Sequence, residues 1–172
     1  PRHLALLRIH DACRGLSDEE IESIASHVEV VHLAAGEMIH SVGQDVAALY
    51  IVVGGRLKAT VKSADGGTRT VRYISAGDQF GALMLVCDEE FPVDVSVDQP
   101  ALLLKLPKDA VMQLVDRFPV FRKNLLRKVG HSVRQAIDWR GKRTAARVVA
   151  FFHADQQSQQ MVVAVARRLI QL

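Results

Sequence analysis

A mainly β domain with helices at both ends is the fold class this sequence predicts, on three observations. From Val28 to Leu106 short apolar or alternating runs are broken by glycine, a capped helix signal stands just ahead of them, and two proline-led helical stretches follow. Strands at that spacing, with turn chemistry between them, mean an antiparallel sandwich or barrel. The 172 residues, 49% apolar and 24% charged, have the composition of a globular chain and exclude a disordered tail. A chain of that length buries roughly two-thirds of its unfolded surface, so its core needs no disulfide or metal staple. Cys13 and Cys87 make no staple framework, and a reducing compartment, the cytoplasm, is expected.

Residues 1–15 read as a lead-in. The first helix is expected at Leu16-Ser17-Asp18-Glu19-Glu20, where Ser17 can cap the free amides and Glu20 stands three residues on, as a capping box requires. Ile21, Ile24, Ala25 and Val28 then recur at helical spacing. Strand runs follow at Val28 to Leu33, Glu37 to His40, Ala48 to Val53, Arg56 to Lys62, Thr68 to Ile74, Val93 to Val97 and Ala101 to Leu106, for about eight strands in all. Gly54-Gly55 and Asp65-Gly66-Gly67 supply residues that tolerate positive φ, and the second joins two of these runs as a hairpin.

Pro107 suits the opening of a helix over Lys108 to Phe118, and Pro119 opens a longer one to about Trp139. Phe121, Leu125 or Leu126, Val129, Val133, Ala136 and Ile137 form its apolar stripe. Arg140 to Arg143 is a polar break. Ala145 to Phe152 then reads as a strand apolar on both faces, followed by a helix over Gln156 to Leu172, the first βα unit of a parallel α/β domain. The alternative is that Arg143 to Phe152 continues the preceding helix. The organisation expected is therefore a lead-in over 1–15, the β domain over 16–139, and over 140–172 a linker and the start of a truncated following domain. The opening Pro1-Arg2-His3, without methionine, also suggests a fragment.

Charge divides sharply along the chain. Residues 1–100 carry 8 Lys/Arg against 15 Asp/Glu, and residues 101–172 carry 14 against 4, so the halves are −7 and +10. A basic half can face nucleic acid, an anionic membrane surface or an acidic partner, or be the solvated face of one helix. No apolar run approaches the roughly 20 residues that cross a bilayer. Seven histidines form no HxxxH pair and read as surface or second-shell groups; no GxSxG, HExxH, P-loop or GxGxxG pattern occurs. No catalytic residue and no metal ligand is assigned.

The ordered pieces Gly15-Leu16-Ser17, Ala35-Gly36-Glu37, Gly43, Leu49-Tyr50-Ile51-Val52, Gly55 and Gly77-Asp78-Gln79-Phe80-Gly81 carry a resemblance. From Gly15 to about Ile137 the chain resembles the cyclic-nucleotide-binding domain shared by catabolite-activator and FNR-type regulators, cyclic-nucleotide-dependent kinases and gated channels. The resemblance implies a double-stranded β-helix, or jelly-roll, barrel whose ligand sits at a phosphate-binding cassette reading Phe-Gly-Glu-Leu-Ala and then Pro-Arg-Ala-Ala-Thr-Val. There an arginine pairs with the cyclic phosphate and a glutamate accepts from the ribose hydroxyl, and the resemblance implies a short helix from Gly81 to Val86 in this chain.

Here the cassette reads Phe80-Gly81-Ala82-Leu83-Met84-Leu85 and Pro92-Val93-Asp94-Val95-Ser96-Val97. The ligand-binding positions the resemblance assigns are thus Phe80, Gly81, Ala82, Leu83, Pro92, Val93, Asp94 and Ser96. Ala82 replaces the glutamate and Val93 the arginine. Each lost contact is worth on the order of 1.5–3 kcal/mol, so cyclic AMP or cyclic GMP is disfavoured as a ligand. Asp94 adds repulsion if it points inward, while the Gly81 to Leu83 amides and the Ser96 hydroxyl remain permissive. Three readings stay open: Ala82, Leu83, Leu85, Val93 and Val95 simply pack the barrel, a neutral or apolar ligand binds, or a nucleotide binds weakly.

The function expected is a regulatory module of a larger protein with weak or lost nucleotide binding. The alternative is the sensor and dimerisation domain of a catabolite-activator-type transcription regulator lacking its winged helix. The basic linker and strand after Trp139 are similar to those of patatin-like esterases of the neuropathy target esterase kind, which would make the parent, but not this fragment, an enzyme. Expected partners are the downstream domain of the same chain and a second copy. Leu126, Val129, Val133, Ala136 and Arg140 offer a 3-4-3-4 seam for a homodimer, unless that stripe packs on its own barrel. Nucleic acid enters only if a domain beyond Leu172 supplies the reading helix, and peripheral membrane contact stays open.

Overall fold

The structure is a computed structural model that describes residues 2–63, 66–87 and 89–138. The strand and helix expected over 145–172, and Arg140 of the seam, lie outside the described residues. Two helical pieces occupy the lead-in: α1 (Arg2–Ile9) and a 3-10 turn (Asp11–Cys13). Neither was expected, because eight residues with no acidic group in the first turn give no start signal. Leu7, Ala12 and Cys13 bury against the domain and hold the segment in place. The next helix, α2 (Asp18–Ala25), has the expected capping box. Ser17 Oγ accepts from the Glu20 amide at 3.2 Å, and the Glu20 carboxylate accepts from the Ser17 amide at 2.7 Å. Its apolar stripe, Ile21, Ile24 and Ala25, enters the core.

Six strands follow: β1 (Glu29–Leu33), β2 (Met38–His40), β3 (Ala48–Lys62), β4 (Thr68–Ser75), β5 (Gln79–Phe80) and β6 (Asp94–Pro107). The sheet runs β1-β6-β3-β4, with β2 on β6 and β5 on β3, and every pairing is antiparallel. The pairing path ends at β1 and β4, so the roll is not closed into a continuous barrel among the described residues. About eight strands were expected because two pairs of runs were counted separately. In the structure β3 continues through Gly54-Gly55 and β6 through Asp98 to Pro100. The register slips three times between Val52 and Leu57, so this corner is a bulged bend and not a turn. Gly55 sits at φ +81° directly against the Pro100 carbonyl. The 63–67 hairpin closes with the Ser63 amide donating to the Gly67 carbonyl at 2.8 Å.

Between β5 and β6 the chain makes α3 (Ala82–Cys87), the short helix expected there. After β6 come α4 (Lys108–Arg117) and α5 (Pro119–Asp138). Pro107, the last residue of β6, stands at the N-cap position of α4 without a side-chain cap bond, and the Lys108 amide donates to the Ala47 carbonyl at 2.8 Å. On α5, Phe121, Leu125 and Val129 are buried in the domain's own core while Leu126 is half-buried. The stripe therefore turns Leu125 inward, and Val129 of the expected seam is used within the chain. Asn124, buried on the same helix, donates to the Ala12 carbonyl at 3.1 Å and the Arg14 carbonyl at 2.8 Å, fastening α5 to the lead-in.

Candidate functional site

The cassette positions lie where β5, α3 and the start of β6 meet. Gly81 links β5 to α3 at φ +94°, and a Cβ there would stand 2.5 Å from the Ala48 carbonyl oxygen, so the backbone needs glycine to pass so close to β3. Ala82, at the position the resemblance gives to a glutamate, is 7% exposed, and Val93, at the position it gives to an arginine, is 3% exposed. Leu85 and Val95 are buried with them, and Leu83 packs against the same core from its edge. Among the described residues no Asp, Glu, Lys or Arg is buried. An anion entering here meets no buried cation.

Register separates the remaining positions. Val95 lies opposite His40 and Ala59, on the inner face, whereas Ser96 lies opposite Met38 and Lys58. Side chains alternate along a strand, so Ser96 lies on the opposite face from Val95 and does not join Ala82 and Val93, although it too is buried. Asp94 is turned to the loop after β2, where its carboxylate accepts from the Val42 amide at 2.9 Å. That bond fixes the loop instead of directing charge inward. Pro92 is exposed.

What fills the inner face is aromatic. His40 stacks on Phe91 with ring centroids 4.6 Å apart and 11° between planes, and Tyr50 stacks on Phe80 at 4.8 Å and 8°. The two stacks meet edge to face, His40 on Tyr50 at 5.5 Å and Phe80 on Phe91 at 6.3 Å. Phe80 precedes Gly81 and Phe91 comes two residues before Val93, so the rings tie both halves of the cassette together. Phe91 is further held by backbone bonds to the 43–44 loop, its amide donating to the Gln44 carbonyl at 3.1 Å.

His40 corrects the reading of the histidines as surface or second-shell groups: it is 5% exposed, and His10 is buried as well. The alternation Met38, Ile39, His40 was the only signal available, and it does not say which face is inward. His40 Nε2 and both polar atoms of the Gln79 side chain are buried with no hydrogen-bond partner. Burial pushes the His40 imidazole below its ordinary value; His10 shifts the same way, through burial first and then the Lys128 cation. Burial also pushes the Cys13 thiol up to about 12, which makes it unreactive.

These shifts set a pH dependence. A histidine held neutral by the fold contributes stability that is complete above its unfolded value near 6.5. That contribution is lost as pH falls below 6.5 toward and through the lower folded value. The melting temperature is therefore expected to fall between pH 6.5 and 5, and His40→Phe, which keeps the stack and removes the titration, should flatten part of that fall. An unchanged pH profile in His40→Phe would remove His40 from the account.

The sequence profile of the cyclic nucleotide-binding domain matches residues 30–118. Lysophospholipase NTE1 of Coccidioides immitis is 27% identical over 111 residues, 64% of this chain and 7% of that protein. The chain spans 7% to 14% of the length of such curated relatives. The catabolite activator protein of Thermus thermophilus superposes with a TM-score of 0.66 at 25% identity, over 73% of this chain and 59% of that one. The sensor domain of the Pseudomonas aeruginosa transcriptional regulator DNR superposes at 0.68 and 20% identity, over 80% and 92%. With the antiparallel roll and the profile match covering more than half of its length, the chain belongs to the cyclic nucleotide-binding domain family.

Proposed function

We propose that this domain is a regulatory module of a longer protein and that its affinity for cyclic AMP and cyclic GMP is weak or lost. The observation that carries the reading is the inner face itself. Ala82 and Val93 are apolar and buried at the two charged positions of the cassette, and the His40, Phe91, Tyr50 and Phe80 rings pack together behind them. Two missing charge-assisted bonds of on the order of 1.5–3 kcal/mol each place the expected dissociation constant at roughly 0.1 mM or weaker. Calorimetry of the 172-residue chain with each nucleotide tests this, and low-micromolar affinity overturns it. Ala82→Glu with Val93→Arg should restore little binding on its own, because the packed rings occupy the inner face; a large gain would show that charge alone was lacking.

The small share of the lysophospholipase that the chain spans supports a place beside a downstream catalytic domain, as in the patatin-like reading. The likeness to the catabolite activator protein, at 25% identity, favours one second reading, the sensor part of a DNA-binding regulator. Sequence beyond Leu172 separates them: GxGxxG followed by GxSxG in one case, a helix-turn-helix in the other. Homodimerisation, through α5 or through the 145–172 segment, belongs to either reading and is reported directly by sedimentation velocity. A cytoplasmic location, with peripheral membrane contact through the basic half, is part of the same proposal; no described helix is long and apolar enough to cross a membrane. Fractionation of cells expressing the full-length parent tests the location.

A further inference from the structure

Charge is segregated more finely than by halves of the chain. Between residues 15 and 100 there are five cations, Arg56, Lys58, Lys62, Arg69 and Arg72, all within 17 positions; of the 14 acids in that span only Asp65 lies among them. The β3–β4 pairing gathers these cations on one hairpin, with Lys58 opposite Tyr73, Ala59 opposite Arg72, Val61 opposite Arg69 and Lys62 opposite Thr68. Among the described residues Lys58, Lys62 and Arg69 make no ion pair, and Arg72 only reaches Asp78 at 3.8 Å. Tyr73 is 51% exposed with the Arg56 guanidinium 4.8 Å from its ring centroid, and Asp98 holds that guanidinium in place at 2.6 Å.

β4 is also the end of the sheet, and its far edge pairs with no strand among the described residues. From Thr68 to Ile74 the amides and carbonyls that do not face β3 are thus open to a partner, beside Arg69 and Arg72 of the same strand and Lys58 and Lys62 of its neighbour; Ser75 is not among them, since its amide donates to the Asp78 carboxylate and its carbonyl accepts from the Asp78 amide, each at 2.9 Å. Edge charges protect a strand from pairing with its own copy, and this set does so because all its members have one sign. The same sign invites an opposite partner. A nucleic acid would want several exposed rings to stack its bases, and this surface offers one, already covered by Arg56. A strand of acidic polypeptide satisfies both the open edge and the cations.

We propose that the β4 edge is a docking site for an acidic, extended peptide segment, which adds to the sheet as a strand. The probe is a synthetic eight-residue peptide alternating glutamate and valine, titrated at low salt into the isotope-labelled 172-residue chain and followed by amide chemical shifts. Shifts concentrated on Thr68 to Ile74 are expected, with affinity lowered at least about tenfold by Lys62→Glu with Arg69→Glu, and lowered again by added salt. On the unaltered chain, a peptide of the same charge carrying N-methyl groups at alternate amides should bind far less, because it cannot form the ladder. The proposal is overturned by no binding at millimolar peptide, by shifts centred elsewhere, or by equal binding of the N-methylated peptide. It is also overturned by tighter binding of a single-stranded oligonucleotide or of phosphatidylserine vesicles at the same salt, or by hairpin shifts that follow self-association of the chain alone.

Discussion

Gly55→Ala should lower stability by about 2–5 kcal/mol, well beyond the loss in Gly36→Ala. At φ +81° any side chain is strained by about 1–2 kcal/mol, and here the added methyl also runs into the Pro100 carbonyl and stands 2.6 Å from the Ala101 Cα. Both obstacles are backbone of β6, which is locked to β3 along its length and cannot swing aside as a flexible side chain would. Overpacking of this kind adds about 1–3 kcal/mol or more, a large share of the 5–15 kcal/mol typical of a whole domain. Gly36→Ala is the control, since φ there is +90° but a Cβ meets nothing within 4 Å. Chemical denaturation of the two variants separates conformational strain from collision. Equal losses in both would refute the account of the bend.

Phe121→Ala is expected to lower stability by about 3–5 kcal/mol. The ring is 1% exposed and is the largest fully buried side chain among the described residues. Its neighbours cannot easily collapse into the space, because α5 is held at this level by Leu125 in the core and by the two Asn124 bonds to the lead-in. Val120→Ala, one position away on the exposed side, should cost within about 0.5 kcal/mol. A Phe121→Ala loss below about 1 kcal/mol would mean that α5 is packed loosely on the roll.

Local chemistry was legible wherever one residue type has one mechanical role. Ser17 and Glu20 announced a helix start, Gly66-Gly67 a hairpin, and Pro119 a new helix. The long strands were read as broken because Gly54-Gly55 and Pro100 are turn residues in isolation; only when β3 and β6 face each other do they become two sides of one bend. At the cassette, the replacements Ala82 and Val93 were visible at once, since they are missing charges. Their surroundings were not. His40, Phe91, Tyr50 and Phe80 are scattered over 52 positions, and no periodicity connects a ring on β2 to one beyond α3. Ser96 sat at the motif's hydroxyl position, yet the pairing register gives it the face opposite Val95. The α1 helix was missed for want of a cap, and it stays helical because tertiary contacts hold it.

The fastening of α5 to the lead-in has a mechanical consequence. Asn124 grips the two carbonyls of Ala12 and Arg14, and Lys128 reaches Asp11 at 2.7 Å one turn later. The first fourteen residues and the last described helix therefore share a single joint on the outside of the roll. A load on the incoming segment and a load on the outgoing helix arrive at the same five residues. Torque on α5 is therefore handed to the lead-in directly by these bonds, as well as through the core that Phe121 and Leu125 share with Leu7 and Cys13.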